Sequence, residues 1–171
     1  LGVYWFEEPI APEDYEGYKE LKNKLKTNVA GGEAEFTKWG WKHLIQNRCI
    51  DIAQPEVCGL GGITEYLKVV ALAQANFIPV VNHVWGSALS IAVNLHLLTA
   101  MPDMPGGLFP AKPMLEFDTT EKNIFISDLA EEKFDIFDQV KNNKGFVKAL
   151  EGHGIGLNPS KDFIKKYEVT R

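Results

Sequence analysis

The sequence has few of the features that mark secreted, membrane or nucleic-acid-binding proteins. Only two of its 171 residues are cysteine, Cys49 and Cys58, and we expect both to be reduced thiols rather than part of a disulfide framework. No apolar run approaches the roughly 18 residues that a membrane-spanning helix needs. The opening residues include Glu7 and Glu8 where a signal peptide would have a basic stretch. The net charge of -5 lacks the basic excess that favours nucleic acid. We therefore expect a cytoplasmic protein that binds neither membranes nor nucleic acid.

The remaining composition is that of an ordinary globular domain. Hydrophobic residues make up 45% and charged residues 24% of the chain, enough to build one domain with a core. The chain has no initiator methionine, and Leu1 leads directly into the β-type apolar run at residues 3–6. We therefore expect a fragment of a longer protein that starts within a strand.

Five short apolar runs, rich in β-branched and aromatic residues, each lead into an acidic residue or a histidine. The runs are residues 3–6 before Glu7, 29–32 before Glu33, 50–55 before Glu56, 78–82 before His83 and 114–115 before Glu116. Successive terminal residues lie 26, 23, 27 and 33 positions apart, about the length of one strand, one helix and two loops.

The segments between the first runs have helical patterns. The first helix is expected from Pro12-Glu13-Asp14, where acidic residues suit a helix N-terminus. The pattern predicts four helices with these apolar positions: Tyr15, Tyr18, Leu21 and Leu25; Trp39 and Leu44; Leu67, Val70, Ala71 and Ala75; Leu89, Ile91, Ala92, Leu95 and Leu98. Strands that alternate with helices predict a parallel sheet with right-handed crossovers.

Two architectures fit this alternation, an open doubly wound sheet and a barrel. A doubly wound sheet concentrates its site at one switch point, usually beside a glycine-rich phosphate loop. A (β/α) barrel instead gathers residues from many strand ends at one face. The polar residue after every apolar run favours the barrel. Because such a barrel has eight strands, the five runs would form only part of it.

The motifs at the strand ends carry a family resemblance. In order, they are Trp5-Phe6-Glu7-Glu8-Pro9, Ala30-Gly31-Gly32-Glu33, Gln54-Pro55-Glu56 with Gly61-Gly62-Ile63-Thr64-Glu65, Asn82-His83-Val84-Trp85-Gly86, and Leu115-Glu116-Phe117-Asp118. Together they resemble the mandelate racemase branch of the enolase superfamily, in particular galactarolactone cycloisomerases and related sugar-acid enzymes. The resemblance implies the C-terminal part, about five strands, of that superfamily's α/β barrel over residues 1–123. Residues 124–171 would form a C-terminal return segment that packs on an N-terminal capping domain. That domain and the first strands would lie outside this chain.

The resemblance also implies a Mg²⁺ site. Glu7 and Glu33 match the second and third carboxylate ligands, and the first would precede Leu1. Two of the three ligands would hold the ion poorly, so we expect the chain alone to bind Mg²⁺ weakly. Glu8, if it continued an extended strand, would point to the face opposite Glu7.

The remaining roles follow from the same resemblance. His83 matches the catalytic histidine, and Glu56 stands where the family usually has an aspartate that orients it. Glu116 matches a carboxyl that hydrogen-bonds the enediolate oxygen, and Trp85 either lines the pocket beside it or serves packing alone. Each residue taken singly also has a purely structural explanation; their joint placement favours function.

The implied reaction is Mg²⁺-dependent removal of the proton α to a carboxylate in an aldarate, an aldonate or a lactone, through a stabilised enediolate. It would lead to cycloisomerisation by β-elimination. A sugar-acid dehydratase with the same first step is the alternative. A third possibility is an inactive fragment that needs the missing half or a second copy, since exposed sheet edges promote association. We expect a homo-oligomer.

Overall fold

A computed structural model describes residues 2–102, 113–120 and 123–169. The expectation that the chain starts within a strand is wrong for the described residues, because the first strand begins at Trp5 and residues 2–4 before it are not in a strand. The chain divides into two compact units. The first comprises Leu1–His83 with Met101–Met114, and the second comprises Val84–Ala100 with Leu115–Arg171. The predicted boundary between residues 123 and 124 separates the barrel portion from the segment that would pack on a capping domain, and it stays a prediction.

The first unit is built on a parallel sheet with the strand order β1-β2-β3. Its strands are β1 (Trp5–Glu7), β2 (Asn28–Gly31) and β3 (Ile52–Ala53). Glu7 pairs with Ala30, and Ala30 pairs with Ile52. A single parallel bridge joins Ala53 to Val80. Four of the five predicted runs thus lie side by side in parallel, the fourth through a single bridge. In the fifth, residues 114–115, Leu115 is a β-bridge residue and no strand is formed.

Three of the predicted helices connect these strands, namely α1 (Tyr15–Lys24), α2 (Thr37–Gln46) and α4 (Ile63–Ala75). Asp14 caps α1, where its side chain accepts from the Gly17 N–H at 2.9 Å. A short helix that the sequence pattern did not predict, α3 (Val57–Leu60), precedes α4 and has Glu56 as its N-cap.

The predicted apolar faces of α2 and α4 are partly wrong. In α2, Trp39 is 65% exposed, whereas Trp41 is completely buried together with Leu44 and Ile45. Residues two apart cannot share a helix face, so only one of the two tryptophans could pack inward. In α4, Leu67 is exposed and its neighbour Tyr66 is buried.

The second unit contains the predicted helix α5 (Ala88–Ala100) and the helices α6 (Ile124–Ser127), α7 (Ile136–Asn142) and α8 (Lys161–Tyr167). Its core forms where Ile91 and Leu95 of α5 pack with Ile126, Ile136 and Leu157. An antiparallel bridge joins Ala130 to Pro159.

Two expectations about composition can be compared with the described residues. Cys49 is buried and Cys58 is exposed, and the two residues are not joined by a disulfide. None of the helices in the described ranges is long and apolar enough to cross a membrane.

Candidate functional site

The strand ends of the first unit bring a set of polar side chains together. Glu7 is the last residue of β1, Glu33 lies two residues beyond β2, and Gln54 directly follows β3. His83 lies three residues beyond the bridge at Val80. Because these strands run parallel, their carboxyl ends meet at one edge of the sheet, where barrel enzymes place their active sites.

His83 is held between two carboxylates. Its imidazole is nearly buried, with 9% of the residue exposed. Nδ1 lies 3.1 Å from Glu56 Oε2, and Nε2 lies 3.2 Å from Glu33 Oε2. A doubly protonated ring would donate to both carboxylates at once, whereas a neutral ring donates from one nitrogen only. The arrangement therefore lets His83 hold or release a proton at Nε2 while Nδ1 stays bonded to Glu56.

Glu56 is fixed by two different interactions. Oε2 faces the imidazole, and Oε1 accepts from the Cys58 N–H at 2.8 Å, which caps α3. Burial alone would raise the pKa of Glu56, but the hydrogen bonds from His83 and the Cys58 backbone outweigh burial and lower the pKa. Glu56 is consequently a carboxylate at neutral pH and orients the imidazole, although it stands where the family pattern has a shorter aspartate.

Glu7 receives two hydrogen bonds on a single oxygen. Trp5 Nε1 donates to Glu7 Oε2 at 3.1 Å, and Gln54 Nε2 donates to the same oxygen at 2.7 Å. Gln54 is only 1% exposed, and its own Oε1 has no hydrogen-bond partner among the described residues. Sequence reasoning assigned Gln54 no role. The available signal was its place in the motif, directly after a strand and two residues before Glu56.

The expectation for Glu8 is wrong. The strand ends at Glu7, and Glu8 adopts a left-handed backbone conformation with φ 37°, so the alternation of an extended strand stops before it. Its N–H donates to the Ala30 carbonyl at 3.1 Å, and its carboxylate accepts from the Gly32 N–H. Burial raises the pKa of Glu8, and the nearby charge of Glu7 raises it further, against the opposing effects of Gly32 and His83. Glu8 thus belongs to the cluster at the strand ends.

Glu116 and Trp85, the two predicted substrate-binding residues, lie in the second unit. Glu116 Oε2 accepts from the Val84 N–H at 2.9 Å. Trp85 is 74% exposed, and its side chain hydrogen-bonds the Asp118 carboxylate. Their proposed contact with substrate stays a prediction.

The donor chemistry of Glu7 and Glu33 fits a hard cation such as Mg²⁺. Carboxylate oxygens are its usual protein ligands, and water and substrate oxygens complete its coordination. Both residues lie at the ends of neighbouring strands, and the two hydrogen bonds to Glu7 end on one of its oxygens. Among the described residues, however, no group of three or more histidine, cysteine, aspartate or glutamate side chains could hold a metal ion. The chain therefore offers a partial ligand set.

Comparison with known proteins agrees with this arrangement. The family described as "Enolase C-terminal domain-like" matches residues 1–163. The D-galactarolactone cycloisomerase of Agrobacterium fabrum is 32% identical over 169 residues, which are 99% of this chain and 43% of that protein. The relatives are named as enzymes, and the chain spans less than half the length of the curated relative that it matches.

Solved structures share the fold. The 3,6-anhydro-D-galactonate cycloisomerase of Zobellia galactanivorans has a TM-score of 0.78 and 31% identity, covering 96% of this chain and 42% of that one. A structure ascribed to a mandelate racemase of Bordetella bronchiseptica RB50, in complex with 2-oxoglutarate/phosphate, has a TM-score of 0.82 and 29% identity, covering 99% of this chain and 42% of that one. The fold is accordingly α/β and corresponds to the C-terminal barrel portion of these proteins. The chain belongs to the enolase C-terminal domain-like family, within the enolase superfamily.

Proposed function

We propose that this chain carries the proton-transfer residues of an enzyme that removes the proton α to a carboxylate in a sugar acid or its lactone. The observation that carries the proposal is the buried His83 imidazole, held at the strand ends with Glu56 on one nitrogen and Glu33 on the other. The names of the cycloisomerase relatives support a sugar-acid substrate and a cycloisomerisation; that this proceeds by β-elimination is part of the proposal.

His83 acts through Nε2 in this proposal. Glu56 accepts from Nδ1–H, which keeps the ring in one orientation and stabilises its positive charge. Nε2 then takes a proton from the α-carbon, or gives one to the leaving group. Because Glu33 Oε2 lies 3.2 Å from Nε2, that carboxylate must turn away from the imidazole before a substrate atom can take its place.

Glu7 and Glu33 would hold Mg²⁺, which when bound would stabilise the negative charge that develops on the substrate carboxylate as the proton leaves. Gln54 and Trp5 hold the Glu7 carboxylate by hydrogen bonds. Glu116 would hydrogen-bond the substrate oxygen that gains charge, and Trp85 would line the substrate pocket. These assignments extend the family resemblance to residues of this chain. The partners we propose are a small carboxylate substrate and further copies of the same protein.

A sugar-acid dehydratase is the second candidate. It requires the same abstraction of an α-proton, followed by loss of hydroxide rather than of a ring oxygen. The products separate the two: a cycloisomerase isomerises its lactone without change of mass, whereas a dehydratase releases water. A chain that is inactive without further residues is the third possibility.

Proton NMR in D₂O tests the proposal. The protein at its natural length is mixed with Mg²⁺ and a panel of aldarates, aldonates and their lactones, and the α-proton signal is followed. We expect loss of that signal for at least one sugar acid, even where no product accumulates. Retention of the α-proton across the panel, with a folded and metal-supplied protein, would refute the proposed function.

A further inference from the structure

We infer that Gln54 is a positioning residue that withdraws one oxygen of Glu7 from metal binding, and so sets both the affinity and the ion selectivity of the site. The inference rests on the proposed function, because it assumes that Glu7 is a ligand. The contacts that carry it are the hydrogen bonds from Gln54 Nε2 at 2.7 Å and from Trp5 Nε1 at 3.1 Å, both ending on Glu7 Oε2.

Of the two possible orientations of the Gln54 side-chain amide, only one is favourable. With Nε2 toward Glu7, the amide donates to a carboxylate; with the amide reversed, its oxygen would face another acceptor. The first orientation leaves Gln54 Oε1 buried without a partner among the described residues. A buried orphan acceptor costs free energy, so a residue retained for packing alone would be better replaced by an apolar one. The donated hydrogen bond to Glu7 is the feature that an apolar side chain would lose.

The backbone fixes Gln54 firmly enough to position a ligand. Its N–H donates to the Gly31 carbonyl at 3.0 Å, which ties it to the end of β2. Pro55 follows and restricts the backbone on both sides of the peptide bond. Two residues on, Glu56 bonds to His83. The tripeptide Gln54-Pro55-Glu56 therefore holds the ligand Glu7 with its first side chain and the imidazole with its last.

With Oε2 occupied by two donors, Glu7 has Oε1 left and would hold an ion through that oxygen. Such binding suits Mg²⁺ and Mn²⁺, which take about six ligands in octahedral geometry. It is less suited to Ca²⁺, which takes roughly six to eight oxygens and often binds a carboxylate through both. Gln54 should therefore favour the smaller ions over Ca²⁺.

The test measures ion binding directly. Mn²⁺ is titrated into the protein at its natural length and followed by electron paramagnetic resonance, and Ca²⁺ is then added as a competitor. Gln54→Met keeps the length of the side chain and removes the donor. Trp5→Phe removes the other donor to the same oxygen. Gln74→Met, in α4, is the matched control. Among the described contacts, the Gln74 side chain donates only to the Pro102 carbonyl and not to a proposed metal ligand. Glu7→Gln tests the ligand itself.

We expect Gln54→Met to weaken Mn²⁺ binding by about 10- to 100-fold, the usual effect of losing a partner that orients a metal ligand. Ca²⁺ binding should weaken less, so that Ca²⁺ competes better than in the parent protein. Trp5→Phe should weaken Mn²⁺ binding measurably but by less than about tenfold, and Gln74→Met should leave Mn²⁺ and Ca²⁺ binding unchanged.

The outcomes separate this inference from the proposed function. A parent protein that binds no Mn²⁺, or a Glu7→Gln variant that binds as the parent does, would refute the metal site and the inference with it. Normal Mn²⁺ binding by a folded Gln54→Met variant would overturn the inference alone. Equal losses for Mn²⁺ and Ca²⁺ would overturn the selectivity claim. If Gln54→Met fails to fold by circular dichroism, Trp5→Phe decides, and unchanged binding in that variant would overturn the inference.

Discussion

At the scale of single residues, His83 has a carboxylate at each ring nitrogen, and the two carboxylates have different tasks in the proposed reaction. Glu56 stays with Nδ1 throughout, because its other oxygen caps α3 and holds it in place. Glu33 must exchange its contact with Nε2 for the ion and the substrate. Changes at His83 and Glu56 should therefore affect proton transfer and leave metal binding largely intact.

The His83→Asn variant should lose turnover by about 10²–10⁴, the usual contribution of a general acid or base. Mn²⁺ affinity should remain close to that of the parent, because the imidazole is not among the proposed ligands. Glu56→Gln should also lower turnover, and adding it to His83→Asn should cost little more, since the two residues act as one unit. Steady-state kinetics with Mn²⁺ titration measures both. Additive losses in the double variant would separate Glu56 from His83, and an undiminished rate in His83→Asn would exclude the histidine from the reaction.

Glu56 should also make stability depend on pH. Its folded pKa lies below the ordinary value of 4.5, after burial is outweighed by the bonds from His83 and Cys58. A depressed carboxyl pKa contributes stability above the unfolded pKa, and that contribution is lost as the pH falls through 4.5 toward the folded value. Urea unfolding at stepwise lower pH should thus bring the parent and Glu56→Gln together on the acid side. A difference between them that is independent of pH would contradict the assignment.

At this scale the sequence predicted which charged side chains lie together better than it predicted the residues that position them. Strand-end spacing predicted that Glu56 and His83 lie at the same edge of the sheet, and the family resemblance implied that they pair. Glu8 was misplaced because period-2 alternation holds only while the strand continues, and a φ of 37° ends it. Gln54 was missed because an amide has no chemical signature in sequence; its importance comes from the two donors that meet on Glu7 Oε2.

At the scale of elements, the turn that follows β2 requires a residue without a side chain. Gly32 has φ 115°, and a Cβ there would overlap the Trp41 ring. Gly62 also has positive φ, at 81°, but a Cβ there would meet nothing within 4 Å. Gly32→Ala should therefore destabilise the protein more than Gly62→Ala, by about 1–3 kcal/mol, the typical cost of overpacking. Chemical denaturation of the two variants measures the difference, and equal losses would remove the Trp41 contact from the explanation.

The start of α1 gives a second prediction for an element. Asp14 accepts from the Gly17 N–H at 2.9 Å and so satisfies one of the free donors of the first turn. Asp14→Ala should cost about 1 kcal/mol of stability, while Asp14→Asn should cost much less, because an asparagine oxygen can accept the same bond. Thermal unfolding of both variants tests this, and equal destabilisation by the two would contradict a capping role.

The helices were predictable where the apolar period was strong, as in α1, α2, α4 and α5. Their buried faces were less predictable: Trp39 and Trp41 lie on different faces of α2, and the packing of α2 against α4 selects the face that is buried. The short helices α6, α7 and α8 span four to seven residues, too few for a periodic pattern to stand out. Their caps are local contacts, as at Ser160, which accepts from the Phe163 N–H.

At the scale of the whole molecule, the order of parallel strands and connecting helices in the first unit followed from spacing alone, and the family resemblance then identified the barrel. Strand lengths did not follow, because the run at residues 50–55 yields a strand of only two residues, Ile52–Ala53. The chain spans 43% of the length of its Agrobacterium relative. The described residues include the proposed proton-transfer pair, His83 and Glu56, and two of the proposed metal ligands, and this combination determines how the chain should behave alone.

The 171-residue chain by itself should bind Mg²⁺ weakly and should not turn over a sugar acid. No group of three or more candidate ligands could hold a metal in the described part of the chain, and Glu7 and Glu33 alone leave most of the coordination to water. The apolar side chains of Val3, Tyr4 and Phe6 are more than half exposed along β1 and just before it, so the purified chain should also associate at higher concentration. Size-exclusion chromatography over a concentration series measures the association, and α-proton exchange in D₂O with Mg²⁺ measures the chemistry. A single monomeric peak at all concentrations would contradict the first expectation. Mg²⁺-dependent exchange by the isolated chain would show that Glu7, Glu33 and His83 form a complete catalytic set without further residues.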